Sequence, residues 1–428
     1  MLLAVGTVIG SGIFIVPGTV MAQVGHVGPA LLVWLVAGVL SLLGALTYGE
    51  LGAMDSRAGG LYVYVRDAFG RTPAFLYGWA LFFVIASGSV ATLAVAFTSY
   101  LRQLVPLGPT GGHVAALAMI AVVTIINVRG TRGSASVQVW STLLKAGAIA
   151  AISLVLVVRG SGMPAGADLW PADFTPALAS AAGVAMIGTL WAYEGWQYVT
   201  FAAGEARDPQ RTFPAGIVAG TAILIVLYLL ANVGYVQALG PDGVAASQSV
   251  AADAVRVHLG DRAAQGITVV VLVAMFSAAN GITLTATRVY WAMSRDGVFF
   301  RSLGRVHPRF GTPALAVAAG SGWAAILALS GTFEQLLTYV VFVGWIFYGL
   351  GAASVFWYRR RQPERPRPFR TPGYPVTPIL FVAAAGAIVV NTLVSQPLES
   401  LLGIGVVLLG MPAYLLWTRN ARRPPTTA

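Results

Sequence analysis

Residues 4–18 read AVGTVIGSGIFIVPG, and residues 184–205 read VAMIGTLWAYEGWQYVTFAAGE. Each lies in a hydrophobic run long enough to cross a bilayer, and each carries what a continuous membrane helix avoids. The first run holds Gly6, Gly10, Gly12, Pro17 and Gly18. Glycine costs about 1 kcal/mol against alanine in a helix interior, so Gly10-Ser11-Gly12 marks an unwinding point. The same glycines also suit a small-residue packing face for a neighbouring helix. The second run decides between these readings, because Trp191, Tyr193, Glu194, Gly195 and Trp196 fall near its middle. A carboxylate at mid-membrane is costly unless it faces protein or water. Unwound backbone is tolerated there only where protein buries it or it lines a wet cavity. Paired interruptions at corresponding positions point to a transporter's binding site.

The rest of the chain supplies the setting. Of its 428 residues, 57% are hydrophobic and only 10% charged, against about a quarter charged in soluble domains. Apolar windows of roughly 20 residues, the length that spans the hydrocarbon layer, recur twelve times. They lie near 2–24, 30–54, 74–101, 113–128, 134–158, 177–202, 213–238, 263–293, 313–331, 335–358, 376–395 and 399–418. The expected fold class is therefore an all-α membrane protein. If spans 1–5 and 6–10 are inverted repeats, at about 1–158 and 176–358, the two interrupted spans are equivalent. The expected organisation is a ten-helix core over 1–358, a basic loop at 359–375, two further helices over 376–418 and a tail at 419–428. No residue-level repeat joins the halves, so this symmetry is an inference.

The net charge of +11 raises nucleic acid as a partner, but its distribution argues against it. With the N-terminus in the cytoplasm, alternating spans place 21 arginines on the inner side: 57, 66, 71, 129, 132, 207, 211, 288, 295, 301, 305, 309, 359, 360, 361, 365, 367, 370, 419, 422 and 423. Only Arg102, Arg159, Arg256 and Arg262 fall outside. This asymmetry follows the positive-inside rule and puts both termini in the cytoplasm of an inner, or plasma, membrane. The partners expected are the lipid bilayer and a small substrate, not nucleic acid. There is no cysteine, which excludes a disulfide framework, a thiol nucleophile, a zinc–thiolate site and a disulfide to an accessory subunit. No metal or cofactor is expected. The first span lacks a basic leader and is too long for a signal-peptide core, and a tail preceding Met1 is expected to be missing from this sequence.

Chemistry follows from the breaks. A helix opened at mid-membrane exposes amide N–H groups at the start of its second half, and these, with the helix dipole, bind an anion. The amides around Ser11, Gly12 and Ile13 form the expected carboxylate site. Carbonyls freed at the end of the first half of span 6, around Trp191 and Ala192, suit an ammonium group. Together the poles fit a zwitterion such as an α-amino acid. The single lysine, Lys145, stands midway along span 5 with some eleven apolar or small residues on each side. Snorkelling to an interface is the ordinary fate of a membrane lysine, but this one is too deep. A lysine so buried loses its proton to desolvation or is solvated by carbonyls or a carboxylate. Its ammonium would then stand where a sodium ion would sit between helices.

These motifs carry a resemblance. GTVIGSGIFIVPG (6–18) is similar to the first helix of the amino acid–polyamine–organocation superfamily, and YGELGAMDSRAGGLYVYVRDAFG (48–70) to its second helix and following loop. WAYEGWQYVTFAAGEARDPQRTFPAGI (191–217) resembles the sixth helix and beyond, RVYWAMSRDGVFF (288–300) the eighth, and FRTPGYPVTPILF (369–381) the connection from tenth to eleventh. The match runs in order over essentially the whole chain. Lys145 and WAYEGW are most similar to the L-type branch and its bacterial relatives. The resemblance implies a LeuT-like fold of 5+5 inverted helices with two additional C-terminal helices, and transport by alternating access. It implies substrate carboxylate on Ser11 and Gly12, beside Gly10. The amine would lie near the carbonyls of Val8, Trp191, Ala192 and Glu194, and Trp191 would be an outer lid. It implies that Lys145 replaces a sodium ion, hence sodium-independent exchange or proton coupling.

Three departures matter: the near-absent tail before the first helix, Leu61 where relatives carry a polar or acidic residue, and Glu194 where neutral carriers of this branch have glycine. An acid at 194 is similar to members that take cationic substrates, or it serves a structural or coupling role. Glu50 is expected to anchor a loop. Glu205, Asp208, Arg207 and Arg211 are expected to form a solvated or gate-forming cluster. Trp34, Trp79, Trp291, Trp323, Trp357 and Trp417 are expected mostly at lipid or interface. An intramembrane hydrolase built on Ser11 is a distant alternative: no histidine lies within a span, and Lys145 is the only conceivable base. A channel has no need of two binding poles sealed in turn, and a polyamine would leave the carboxylate pole unused.

Overall fold

The structure, a computed structural model, describes residues 1–160, 169–205 and 208–421. Arg207, Arg422, Arg423 and most of the expected tail lie outside the described residues. Among those described there are helices and connecting turns but no strands. In chain order the helices are α1 Leu2–Val8, α2 Gly12–Val24, α3 Val27–Met54, α4 Leu61–Phe69 and α5 Arg71–Leu101. Then come α6 Pro109–Arg129, α7 Thr131–Arg159, α8 Pro176–Ala192, the 3₁₀ helix α9 Trp196–Glu205, α10 Pro209–Ala246, α11 Val250–Leu259 and α12 Asp261–Arg295. The chain closes with α13 Ala314–Ser330, α14 Phe333–Arg361, α15 Val376–Ser395, α16 Pro397–Leu408 and α17 Gly410–Ala421.

Among the described residues, ten helical stretches are long and apolar enough to cross a membrane, and α1 with α2, bent by 48° at their junction, make an eleventh. α13 occupies the expected ninth place but has only 17 residues, so length does not establish a twelfth crossing. The sequence put little between the ninth and tenth spans. The break there is sharp, because Thr332 caps α14 by accepting from the Gln335 amide while the Gln335 side chain accepts from the Thr332 amide. That reciprocal cap satisfies two amides which a helix start leaves open. α14 runs on to Arg361, so Arg359, Arg360 and Arg361 belong to a helix rather than to the basic loop.

Two short helices escaped the hydropathy reading. α4 is bounded by Gly60 and Gly70, both at positive φ, and α11 follows a kink at Gly240, also at positive φ. Both sit outside the apolar windows, where a 20-residue scan is blind.

The surface fits a bilayer rather than water. Val394 is 77% exposed and Val158 75% exposed, with Trp140, Val226 and Leu409 also largely bare. A protein surrounded by water does not present so many large apolar side chains. The interior differs. α1, α2, α5, α12 and α14 are heavily buried, and the tryptophans divide accordingly. Trp34 is fully buried against Tyr193 and Tyr228, contrary to its expected interface position. Trp79 and Trp323 donate to the carbonyls of Val406 and Phe83 on neighbouring helices.

Candidate functional site

The first interruption spans Ile9 to Ser11. Ile9 is extended at φ −69°, ψ 94°, and α2 restarts at Gly12. The carbonyl of Ser11 accepts the amides of Phe14 and Ile15. Among the described residues nothing accepts from the amides of Gly10, Ser11, Gly12 or Ile13. These are the open N–H groups of a helix start. The second interruption runs from Tyr193 to Gly195, where Gly195 takes φ 133°, a conformation that needs glycine.

The two interruptions touch. A Cβ on Gly12 would lie 2.4 Å from Ala192 Cα, and one on Gly195 would lie 2.8 Å from the carbonyl carbon of Thr7. Each half-helix end therefore abuts the opposing break with no room for a methyl group. Trp191 Nε1 donates to Ser11 Oγ across 3.2 Å. Val8, Gly10, Ser11, Gly12, Trp191 and Glu194, with Thr7, Leu93, Ala278 and Ile282, line one cavity of about 10 Å³, room for a single water. Ile13 lies fully buried just behind it. Larger cavities flank this centre: about 380 Å³ at the arginine-rich end, lined by Met1, Gln138, Glu205 and Arg288 among others, and about 160 Å³ at the opposite end, beside Thr19, Gln23 and Glu334.

The carbonyl side departs from expectation. Trp191 O accepts the Glu194 amide at 3.0 Å within the turn. The carbonyls of Val8 and Ala192 both face the hydroxyl of Tyr228 on α10, at 3.4 and 3.1 Å. These carbonyls are thus met by the chain's own donors, although each keeps a second lone pair. Sequence reasoning passed over Tyr228. Its signal was present: one hydroxyl inside the apolar run ILIVLYLLANV.

Lys145 is fully buried on α7 and points at the first break. Its Nζ donates to the carbonyls of Gly6 at 2.6 Å and Ile9 at 2.7 Å, to Ser277 Oγ at 3.1 Å and to Ala274 O at 3.5 Å. All four partners are neutral oxygens, the ligand set of a small monovalent cation, and they come from α1, from Ile9 in the break that follows it, and from α12. Ser141 Oγ donates to Ser277 Oγ at 2.7 Å, and Asn127, Ser134, Gln138 and Asn280 continue the polar contacts between α6, α7 and α12. None of these was singled out from the sequence, although polar groups in mid-span usually carry a role.

Glu194 is buried, and its Oε1 accepts from the Tyr348 hydroxyl on α14 and from Gln197 Nε2. Gln197 Oε1 in turn accepts the Gly195 amide at 3.1 Å, and Tyr48 donates to Tyr348 O at 2.9 Å. The acid is therefore wired to the second break while its side chain borders the cavity.

At the arginine-rich end, Glu50 is buried, accepts two bonds from Arg359 at 2.9 and 2.7 Å, and accepts the Thr371 amide at 2.7 Å. It fastens α3 to α14 and to the following loop, as a loop anchor should. Asp55 pairs with Arg57 and Arg365, and Arg66 with Asp67 and Asp296. Glu205 does not pair with Arg211 but with Arg288 of α12, at 2.8 Å. Leu61 is fully buried and packs at Gly351.

The sequence matches a known family and its members over nearly its whole length. A sequence profile described as amino acid permease matches residues 1–409. The chain belongs to the amino acid permease family. Among the permease's curated relatives, the b(0,+)-type amino acid transporter 1 of Rattus norvegicus is 32% identical over 438 residues, covering 99% of this chain and 88% of the relative. The cystine/glutamate transporter of Homo sapiens is 30% identical over 437 residues, 98% of this chain and 84% of the relative. The human large neutral amino acids transporter small subunit 2 is 30% identical over 430 residues, 98% of this chain and 79% of the relative. Family and relatives are transporters, not enzymes, so the permease is a multi-pass membrane carrier and the intramembrane hydrolase falls away.

Proposed function

We propose that the permease moves a zwitterionic L-amino acid, independently of sodium, by alternating access between the two ends of the molecule. The coupling is exchange or proton symport. The substrate carboxylate meets the amides of Ser11, Gly12 and Ile13, with Gly10 allowing close approach. Its ammonium meets the carbonyl ends at Val8 and Ala192, with those of Trp191 and Glu194 nearby. The observation that carries this reading is the contact of the two broken helices, donor end against acceptor end, at Gly12–Ala192 and Thr7–Gly195. A cavity that holds one water cannot hold an amino acid. Trp191 and Leu93 must swing away for entry, and Trp191 then closes over the bound substrate as a lid.

Lys145 supports the sodium-independent part. A sodium ion needs a ring of oxygen ligands, and Gly6, Ile9, Ala274 and Ser277 already surround an ammonium. The lysine holds the first half of the broken helix to α12, and transport breaks and remakes that tie. The two flanking cavities become the entry and exit vestibules, with Arg288–Glu205 spanning the inner one. On this reading spans 1–5 and 6–10 are inverted repeats, with α15 and α16–α17 added. The arginine asymmetry orients both termini to the cytoplasm of the plasma or inner membrane. With no cysteine, the permease works without a disulfide-linked subunit.

A second reading, carriage of a cationic amino acid, draws on the Glu194 carboxylate at the cavity wall. Counterflow in proteoliposomes tests the whole proposal. Vesicles preloaded with unlabelled amino acid should accumulate the labelled one transiently and saturably, at equal rates in sodium and in choline. Linear, unsaturable flux would mean a pore, and strict sodium dependence would overturn the role given to Lys145.

A further inference from the structure

Among the described residues, six arginines at the arginine-rich end pair with acids: Arg57, Arg66, Arg288, Arg359, Arg365 and Arg367. One corner of that end differs. Arg129, at the end of α6, and Arg305 and Arg309, in the loop between α12 and α13, are exposed. They meet no acid among the described residues, and the sequence nearby offers none. No Asp or Glu occurs between Asp67 and Asp168, or between Asp296 and Glu334, and Asp296 is already held by Arg66 and Tyr62. The loop is fastened in place. Thr312 Oγ1 donates to the carbonyl of Val128, beside Arg129, at 2.7 Å, and the His307 amide donates to Thr312 O at 2.8 Å. The Arg309 guanidinium lies 5.7 Å from the centre of the Phe310 ring, which stacks on His307 at 4.6 Å.

Apolar surface continues from these charges. Val122, Ile125 and Arg129 share one face of α6 at helical spacing, and both apolar residues are exposed. α13 packs beside α6 and presents an exposed Leu315 in its first turn, while Val306 stands exposed next to Arg305. Guanidinium forks grip phosphate oxygens at two points, and an apolar face directly beyond them suits acyl chains. We propose that this corner binds one anionic phospholipid in the leaflet at the arginine-rich end. Its phosphate lies on Arg129, Arg305 and Arg309, and its chains lie on Val122, Ile125 and Leu315. A soluble phosphate would use the arginines but has no use for the apolar face. The proposal goes beyond the amino acid site and does not depend on it.

An arginine held near an anionic lipid surface contributes about fivefold in affinity. General attraction would treat every exposed arginine alike, whereas a built site uses these three. The experiment titrates detergent-purified protein with dioleoyl-phosphatidylglycerol, and separately with dioleoyl-phosphatidylcholine, and reads bound lipid by native mass spectrometry. Wild type should bind the anionic lipid about tenfold or more tightly than the zwitterionic one. The triple variant Arg129→Gln, Arg305→Gln, Arg309→Gln should lose that preference. A control triple, Arg360→Gln, Arg361→Gln, Arg370→Gln, should keep it. No preference in wild type, or an equal loss in both triples, overturns the site. If the first triple does not fold, Arg309→Gln alone should weaken binding about fivefold, and unchanged affinity overturns the site by that route. Glycerol phosphate bound as tightly as the phospholipid would overturn the assignment to a lipid.

Discussion

Gly12 and Ala192 meet backbone to backbone: a Cβ on the glycine would fall 2.4 Å from the alanine Cα and 3.1 Å from its amide nitrogen. A second contact of the same kind pins Gly195 to Thr7. The middle of the molecule is therefore a pair of helix breaks pressed together, not a packed helical core with a pocket beside it.

Gly12→Ala and Gly195→Ala push these breaks apart. Overpacking of this sort costs about 1–3 kcal/mol, and at Gly195 the positive φ adds strain. Both variants should reach the membrane with lowered thermal stability and lose transport. Gly133→Ala, at a glycine with open space around its Cα, should do neither. Full flux from Gly12→Ala, measured in proteoliposomes, would show that the breaks do not need to touch.

Lys145→Ala removes the ammonium from four oxygens on two helices. Hydrogen bonds to a charged group contribute roughly 1.5–3 kcal/mol each, so a clear drop in melting temperature and a large fall in flux are expected. Lys145→Met keeps the apolar stem and should recover part of the stability but not the transport. Wild-type flux in either variant would remove the lysine from the mechanism.

Glu194→Gln keeps the shape of a side chain that accepts from Gln197 and Tyr348. Competition between L-arginine and L-leucine for uptake reads its role. A shift of preference toward leucine assigns the acid to substrate charge. An unchanged ratio with lowered stability confines it to holding Gly195 through Gln197.

Acid should loosen the arginine-rich end. Burial alone would raise the Asp55 carboxyl, but Arg57 and Arg365 outweigh it and hold the group below its ordinary value of 3.8. A carboxylate depressed in the folded state contributes its stability fully above that value and loses it as pH falls below. Melting temperature of the purified protein should fall as pH drops below about 4, and Asp55→Asn should flatten that dependence while lowering stability at pH 7. An acid profile that Asp55→Asn leaves unchanged would mean the pair is not coupled to folding.

How far the sequence could be read follows from what each signal depends on. The breaks at Gly10–Gly12 and Gly195, and the depth of Lys145, were legible because glycine, a carboxylate and an ammonium are costly in mid-membrane. Tyr228, Gln197 and Tyr348 were not, because a tyrosine or glutamine in an apolar run reveals its partner only when another helix brings one. Trp34 was misplaced for the same reason: an indole suits a lipid interface and an aromatic cluster equally well. α4 and α11 were missed because neither is long enough to register as a span, and the short α13 leaves the number of crossings open to direct topology mapping.

The absence of cysteine makes the central claim directly testable. Ser11→Cys places one thiol at the junction of the broken helices, and its alkylation by a small maleimide can be timed with and without the bound amino acid. If the substrate lies between the breaks, saturating amino acid should slow labelling by about tenfold or more, as ligand occupancy of a site predicts. A thiol at Ser330, exposed at the C-terminal end of α13, should react at an unchanged rate. Equal labelling of Cys-substituted position 11 in the presence and absence of an amino acid known to be bound in the same sample would contradict the account.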